Sequence, residues 1–492
     1  MLKVTLPNNS TKFNVMKKVF LFSIIATLAI FTACKKDDES FKSPEVVAPA
    51  NLTAESGAEV DITFTFTSEG GFNSSSVSAT NGTASIKTNG TAGATSGSIV
   101  VTYTAGSNIG AGSVTLTLTD TKNQTGSATA VISVVEEELV VNVNGNITAN
   151  TTWETGKTYI LESRIAVVAG ITLTIEPGVI VKGQAGTGAN ATALLIARGG
   201  KLMAEGTASS PIIFTSVADE ILPGSVASPN LEPTLNGLWG GLIILGNAPI
   251  SADASSVQIE GIPPSDQNGL YGGSDASDNS GIIKYVSIRH GGANIGEGNE
   301  INGLTLGGVG SGTIIENIEV VANQDDGIEW FGGTVAVKNV IIWNAGDDAV
   351  DTDQSWGGTL DNFIVVNPGD ECFELDGPEG SMEAGHILKN GTVYAGIADG
   401  LVDLDDNSIV EMSGIYFFGM KAGQDFDLNP LALTASDLQA TLPDGGVVTD
   451  YFKAGSDAFV TTVALGANTV GADVTKFSTW SWAAVSGALT DF

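Results

Sequence analysis

Between residues 302 and 428 the sequence returns to one short phrase about every 22 residues, and no other feature constrains the fold so tightly. Residues 326–330 (DGIEW), 348–353 (DAVDTD), 371–376 (ECFELD), 401–405 (LVDLD) and 424–428 (QDFDL) can be laid over one another. One column of carboxylates then reads Glu329, Asp351, Glu374, Asp403 and Asp425, at steps of 22, 23, 29 and 22. A second reads Asp353, Asp376, Asp405 and Asp427. Apolar residues alternate with the acids: Ile328, Val350, Phe373 and Val402, then Leu375, Leu404 and Leu428. A period of two makes each phrase a strand with one face inside and one outside. A strand that returns to the same face at a fixed interval is a coil of a solenoid.

A column of asparagines keeps the same register. Asn317, Asn339, Asn362 and Asn390 recur at steps of 22, 23 and 28, each before a short apolar run. Stacked Asn side chains can bond to one another and to turn backbone. With these ladders the chain resembles the right-handed parallel β-helix, the pectate-lyase-like fold, over residues 142–430. The expected fold class is therefore all-β, with a parallel β-helix over residues 138–430.

The ends carry other signals. Lys17 and Lys18 precede the apolar run 19–31 and then Thr32, Ala33 and Cys34. A basic start, a short apolar core and small residues read as a secretory signal, too short to span a membrane. The ending resembles a bacterial lipobox with Cys34 as the acylated residue, and the signal begins at Met16. The following Lys35, Lys36, Asp37, Asp38 and Glu39 resemble the export signals of Bacteroidetes-type surface lipoproteins. An outer-membrane, surface-exposed lipoprotein is the localisation this implies. Residues 35–50 would be a tether. With Cys34 acylated, Cys372 is the only other cysteine, so no intrachain disulfide is expected. Residues 51–137 alternate over 60–66, 99–103, 114–118 and 130–134 between Gly- and Ser-rich turns, as in an immunoglobulin-like β-sandwich spacer.

Three polar insertions, 218–236, 262–280 and 291–302, interrupt the coils and are expected to wall a groove. Asp275 and Asp278 in the second are a weak calcium signal. Ser436 reads as the N-cap of a helical turn. Residues 431–492, with Phe477, Trp480 and Trp482, read as a C-terminal cap on the open solenoid end, or as a sugar-stacking surface.

Acids outnumber bases by 55 to 21, a net charge of −34 that makes nucleic acid a poor partner. Neighbouring coils lie about 4.8 Å apart, where two carboxylates repel by roughly 3 kcal/mol at an effective dielectric of 20. Calcium, which takes several carboxylate and carbonyl oxygens, would relieve this. The candidate metal ligands are Glu329, Asp351, Asp353, Glu374, Asp376, Asp403, Asp405, Asp425 and Asp427. A bare, solvated acidic face is the alternative.

A third reading is catalytic. Residues 323–329 (NQDDGIE) followed by 346–350 (GDDAV) resemble the motifs of polygalacturonase-family glycoside hydrolases. Carried over, the catalytic carboxylates would be Asp326, Asp347 and Asp348, paired as general acid and base. The family's Gly-His-Gly is replaced here by Gly369, Asp370 and Glu371, and its Arg-x-Lys by Asp403, Leu404 and Asp405. A calcium-dependent lyase would need a basic proton acceptor, for which Arg289 and His290 are the nearby residues. The sequence thus points first to a lipid-anchored surface protein binding calcium and, through it, a glycan or surface partner. The alternatives are a polysaccharide-degrading hydrolase or lyase, and a structural adhesin or coat component.

Overall fold

The computed structural model describes residues 41–50, 52–293, 301–426 and 433–492. Cys34, the signal segment and Asp427 lie outside the described residues. The chain divides into two compact units, Met1–Glu137 and Glu138–Phe492.

In the first unit two four-stranded sheets face each other. Ile62, Phe64, Val101, Leu116 and Ile132 from the two sheets form its core. Besides the short Glu45–Val47, inside the expected tether, and Leu52–Glu55, two longer strands escaped the sequence reading, Phe72–Thr80 and Gly82–Thr88. They are rich in Ser, Thr and Asn and largely exposed, so apolar alternation barely marks them.

The second unit is a right-handed parallel β-helix. A 17-stranded sheet and an eight-stranded sheet run along it, and the strands of both pair in parallel. The eight-stranded sheet stacks Arg164–Val167, Ala193–Ile196, Leu242–Leu245, Leu304–Gly307, Ile328–Phe331, Val350–Asp353, Phe373–Leu375 and Asp403–Leu404. Its inner column is Ile165, Leu194, Leu242, Leu304, Ile328, Val350 and Phe373, all buried in one core. The expected alternation of Ile328, Val350, Phe373 and Val402 with acids is what the register shows.

The long strands of the other sheet bend at left-handed corners. Asn317, Asn339, Asn362 and Asn390 take φ of 61°, 56°, 62° and 58°, a conformation Asn tolerates better than most residues. Asn339 Nδ2 donates to Asn317 Oδ1 at 3.0 Å, and Asn362 Nδ2 to Asn339 Oδ1 at 2.8 Å. The ladder stops there, because Asn390 Nδ2 turns to Asp361 Oδ1 at 2.7 Å.

The C-terminal residues depart from expectation. Leu433–Ser436 is a strand paired with Val410–Ser413, so Ser436 is not a helix N-cap. Leu433 and Ala435 bury into the core, and Asp437 at φ 53° makes the next corner before Leu438–Ala440. Continuing the stacked coil outweighs the local capping signal. Further on, the chain doubles back along the side of the solenoid. Ala472 N–H donates to Thr392 Oγ1, Asp473 N–H to Asn362 Oδ1 and Ala483 N–H to Glu319 Oε1, at 2.8, 2.6 and 2.8 Å. Trp480 and Trp482 are buried there against Tyr285 and Trp343, so neither presents a ring face to a sugar.

Candidate cation-binding site

The outer column of the eight-stranded sheet reads Ala166, Leu195, Ile243, Thr305, Glu329, Asp351, Glu374, Asp403. Its apolar part is covered by residues 250–271, which pack Ile250, Ile259, Ile262 and Tyr271 onto Leu195, Ile243 and Leu245. Arg164 holds this cover through Asp266 at 3.3 Å, and Arg198 through Gly272 O at 2.7 Å. The acids begin where the cover ends.

Here the structure joins two sets that the sequence had kept apart. Oxygens of Asp326, Glu329 and Asp351 lie within 4.8 Å of one another, as do those of Asp325, Asp326 and Asp347. Asp326 thus brings a proposed catalytic residue into contact with two proposed metal ligands. Asp348 shares a hydrogen bond with Glu374, and Glu329 with Asp351. The coil geometry explains Asp326 and Asp348. Asp326 Oδ1 accepts the N–H of Asp348 one coil on, at 3.0 Å, and Asp348 Oδ1 accepts that of Glu371, at 2.6 Å.

Crowding and burial change the proton affinities. Desolvation, then the charge of Asp351, pushes Asp326 and Glu329 well above the usual carboxylate range. Asp351 rises well above it through desolvation and Glu374. Asp348 is pushed up to about 10 by burial and its bond to Glu374. Asp353, Glu371 and Asp376 rise to about 7, with burial the first cause in each. Three carboxylates this close cannot all carry charge without a cation or protons among them.

The residues fit a hard cation. Two oxygens across one calcium ion lie about 4.8 Å apart, twice a 2.4 Å bond. Asn302, fully buried, donates from Nδ2 to Glu329 Oε2 and, at 3.4 Å, to Glu260 Oε1, while its Oδ1 has no protein partner. Turning that amide would add a neutral oxygen to the carboxylates.

The remaining candidates are spread out. Asp353 and Asp376 flank the cluster half-buried, and Asp403 and Asp405 are exposed. Asp425 is a correction: it does not share the column of Asp403. The bridge between Val402 and Phe426 puts Phe426 in the inner column, so Asp425 falls one place early and pairs with Lys453 at 2.5 Å. Burial of Phe426 sets the register over carboxylate spacing. Asp278 bonds Asn247 and Ser280, Asp275 bonds Ser277 N–H, and among the described residues neither belongs to a close carboxylate group.

The basic residues are structural. Arg289 is fully buried, 3.6 Å from Glu319, with Nε on Ser287 Oγ at 2.7 Å and its guanidinium over Trp482. His290 is a buried corner residue at φ 59°, its Nδ1 on Leu235 O at 2.5 Å. Arg289 ends a bent strand, Gly281–Arg289, and His290 follows it, so neither belongs to the acidic sheet.

Sequence reasoning missed Glu260, Asn302 and Asp325. Asp325 adjoins Asp326 and was legible in the motif. Glu260 and Asn302 lie in or beside insertions, which carry no repeat to betray them.

Beside the cluster, Ala252, Gln258, Glu260, Tyr271, Glu329 and Asp353 line part of a pocket of about 490 Å³.

A model of the pectate-lyase-like β-helix domain matches residues 145–398. None of the curated proteins matches the chain. Among solved structures, the chain is similar to the Yersinia enterocolitica family 28 exopolygalacturonase. The identity is 10%, over 86% of this chain and 90% of that one, with a TM-score of 0.19.

Proposed function

We propose a function from one premise: the chain belongs to the pectate-lyase-like β-helix domain family, whose model covers residues 145–398. The acidic sheet is a cation-dependent binding surface, with calcium held by Asp326, Glu329 and Asp351 and a glycan or surface partner gathered over it. The observation that carries this is the close approach of three largely buried carboxylates beside an amide oxygen without a donor. Bare, the cluster destabilises the coil; loaded, it becomes an ordered patch of charge.

The surface is non-catalytic in this reading. Asp326 and Asp348, the paired acids of the motif, are each engaged with a backbone N–H of the next coil. That gives the motif a structural purpose. Arg289 and His290, buried and held, are poorly placed to take a substrate proton. Acylation at Cys34 would tether the domain to the outer membrane, facing out. Palmitate labelling that survives Cys34→Ala would remove the anchor from this account.

A polysaccharide panel, with calcium and with chelator, tests the binding. Calcium-dependent retention without released reducing ends is expected. Reducing ends that vanish in Asp348→Asn would instead establish a polysaccharide-degrading enzyme, a hydrolase if no unsaturated sugar accompanies them.

A further inference from the structure

Resting on the reading that calcium sits among Asp326, Glu329 and Asp351, we propose that Glu260 couples the folded insertion 250–271 to that ion. A bound cation draws Glu260 in as a further ligand and tightens the insertion onto the coil.

The observation that carries this is a shared donor. Asn302 Nδ2 donates to Glu329 Oε2 on the coil and to Glu260 Oε1 on the insertion, the second at 3.4 Å. One amide nitrogen therefore stands between a member of the cluster and a residue of the cover. Two oxygens on one donor lie at most about 6 Å apart, twice a hydrogen-bond length. After burial and Asp351, the charge of Glu260 is the next cause that raises Glu329, so the two carboxylates are within electrostatic reach. Glu260 is itself half-buried, and Ile259 and Ile262 near it are buried where the insertion packs on the coil. That packing holds its carboxylate at the edge of the cover, where the acids begin.

With no ion, Glu260 and Glu329 compete for one amide and repel each other. A cation that takes Asn302 Oδ1 turns that amide, and Nδ2 leaves both oxygens. Glu260 then meets a positive charge in place of its lost donor, one side-chain rotation or one bridging water away. Calcium takes about six to eight oxygens, so it has room for a further carboxylate. The pull spreads through the insertion. Gln258 Nε2 donates to Ile262 O, Pro263 O and Asp266 O at 3.2, 3.4 and 3.3 Å, which gathers the turn after Glu260 around one side chain. Val257 and Gln258 pair with Tyr271 and Leu270. Near its two ends the insertion is anchored separately: Ser251 N–H donates to Gln354 O and the Tyr271 hydroxyl to Gln354 Oε1, each at 2.9 Å. The stretch between these anchors is what the ion tightens. Coupling of this kind is reciprocal, so a partner that presses the insertion down strengthens calcium binding by the same factor.

The test combines calcium calorimetry with backbone hydrogen exchange on the wild type, Glu260→Gln and Asp253→Asn. Each variant keeps the shape of the side chain it replaces and should fold. Asp253, exposed on the same insertion, controls for loss of charge alone. Calcium should slow exchange at the amides of residues 257–262 in the wild type and in Asp253→Asn. In Glu260→Gln it should still bind, at least about fivefold more weakly, and leave exchange over 257–262 unchanged. Undiminished affinity in Glu260→Gln, exchange slowed there as in the wild type, or the same weakening in Asp253→Asn would overturn the coupling and leave the cation site standing. So would calcium that binds the wild type without slowing exchange over 257–262. No calcium binding by the wild type would overturn both the coupling and the proposed function.

Discussion

The two halves of the eight-stranded sheet share one backbone ladder and one inner column, yet their outer faces are opposites. Ala166, Leu195 and Ile243 lie under a folded insertion; Glu329 stands at the edge of that cover, and Asp351, Glu374 and Asp403 continue the column beyond it. Thr305 stands at the change. Parallel stacking dictates only what faces in. What faces out follows from what lies over it, and the acidic half is the surface for which a bound cation is proposed. A surface left merely soluble would alternate signs rather than stack like charges.

The largest expected effect comes from exchanging the halves. Ile243→Asp puts a charge under the insertion, in a site only 1% exposed. It should cost about 4 kcal/mol or more by urea unfolding, or prevent folding. A loss below about 1 kcal/mol would mean the cover is loose.

Next is pH. Burial raises Asp353, Glu371 and Asp376 to about 7 in the folded chain, from ordinary values of 3.8, 4.5 and 3.8. Their raised values mean that the folded state holds protons the unfolded chain has released. In chelator, stability should be greatest below about pH 4 in these groups' contribution, and be lost as pH rises through 7. The slope is about 1.4 kcal/mol per pH unit for each such proton. Calcium should flatten it. A melting temperature that rises over this window in chelator would contradict the crowding.

Smaller effects separate members of the acidic half. Glu374→Gln should stabilise the chelated protein by about 1 kcal/mol in thermal melts, by relieving repulsion from Asp351. Asp403→Asn or Asp405→Asn, both exposed, should change stability by less than about 0.5 kcal/mol. A large loss in either would extend the site down the column.

The coil was legible because a stacked fold must repeat its inner residues, so Ile328, Val350 and Phe373 announce their register. The corner asparagines were legible for the same reason. The site was half legible. Its carboxylates recur with the coil, but which of them meet depends on side-chain reach across strands, which spacing cannot supply. Asp425 shows the limit: an acid at the right interval was displaced because Phe426 had to face in. Trp482 shows another. Its partners Arg289 and Trp343 are far away in sequence, and no local pattern announces the return of the chain along the solenoid.

The central claim is that calcium sits among Asp326, Glu329 and Asp351. Calcium titration by calorimetry on wild type, Asp351→Asn and Asp403→Asn tests it most directly. Saturable binding is expected in the wild type and in Asp403→Asn, and its loss in Asp351→Asn. Equal heats in all three proteins, or none in the wild type, would contradict the site.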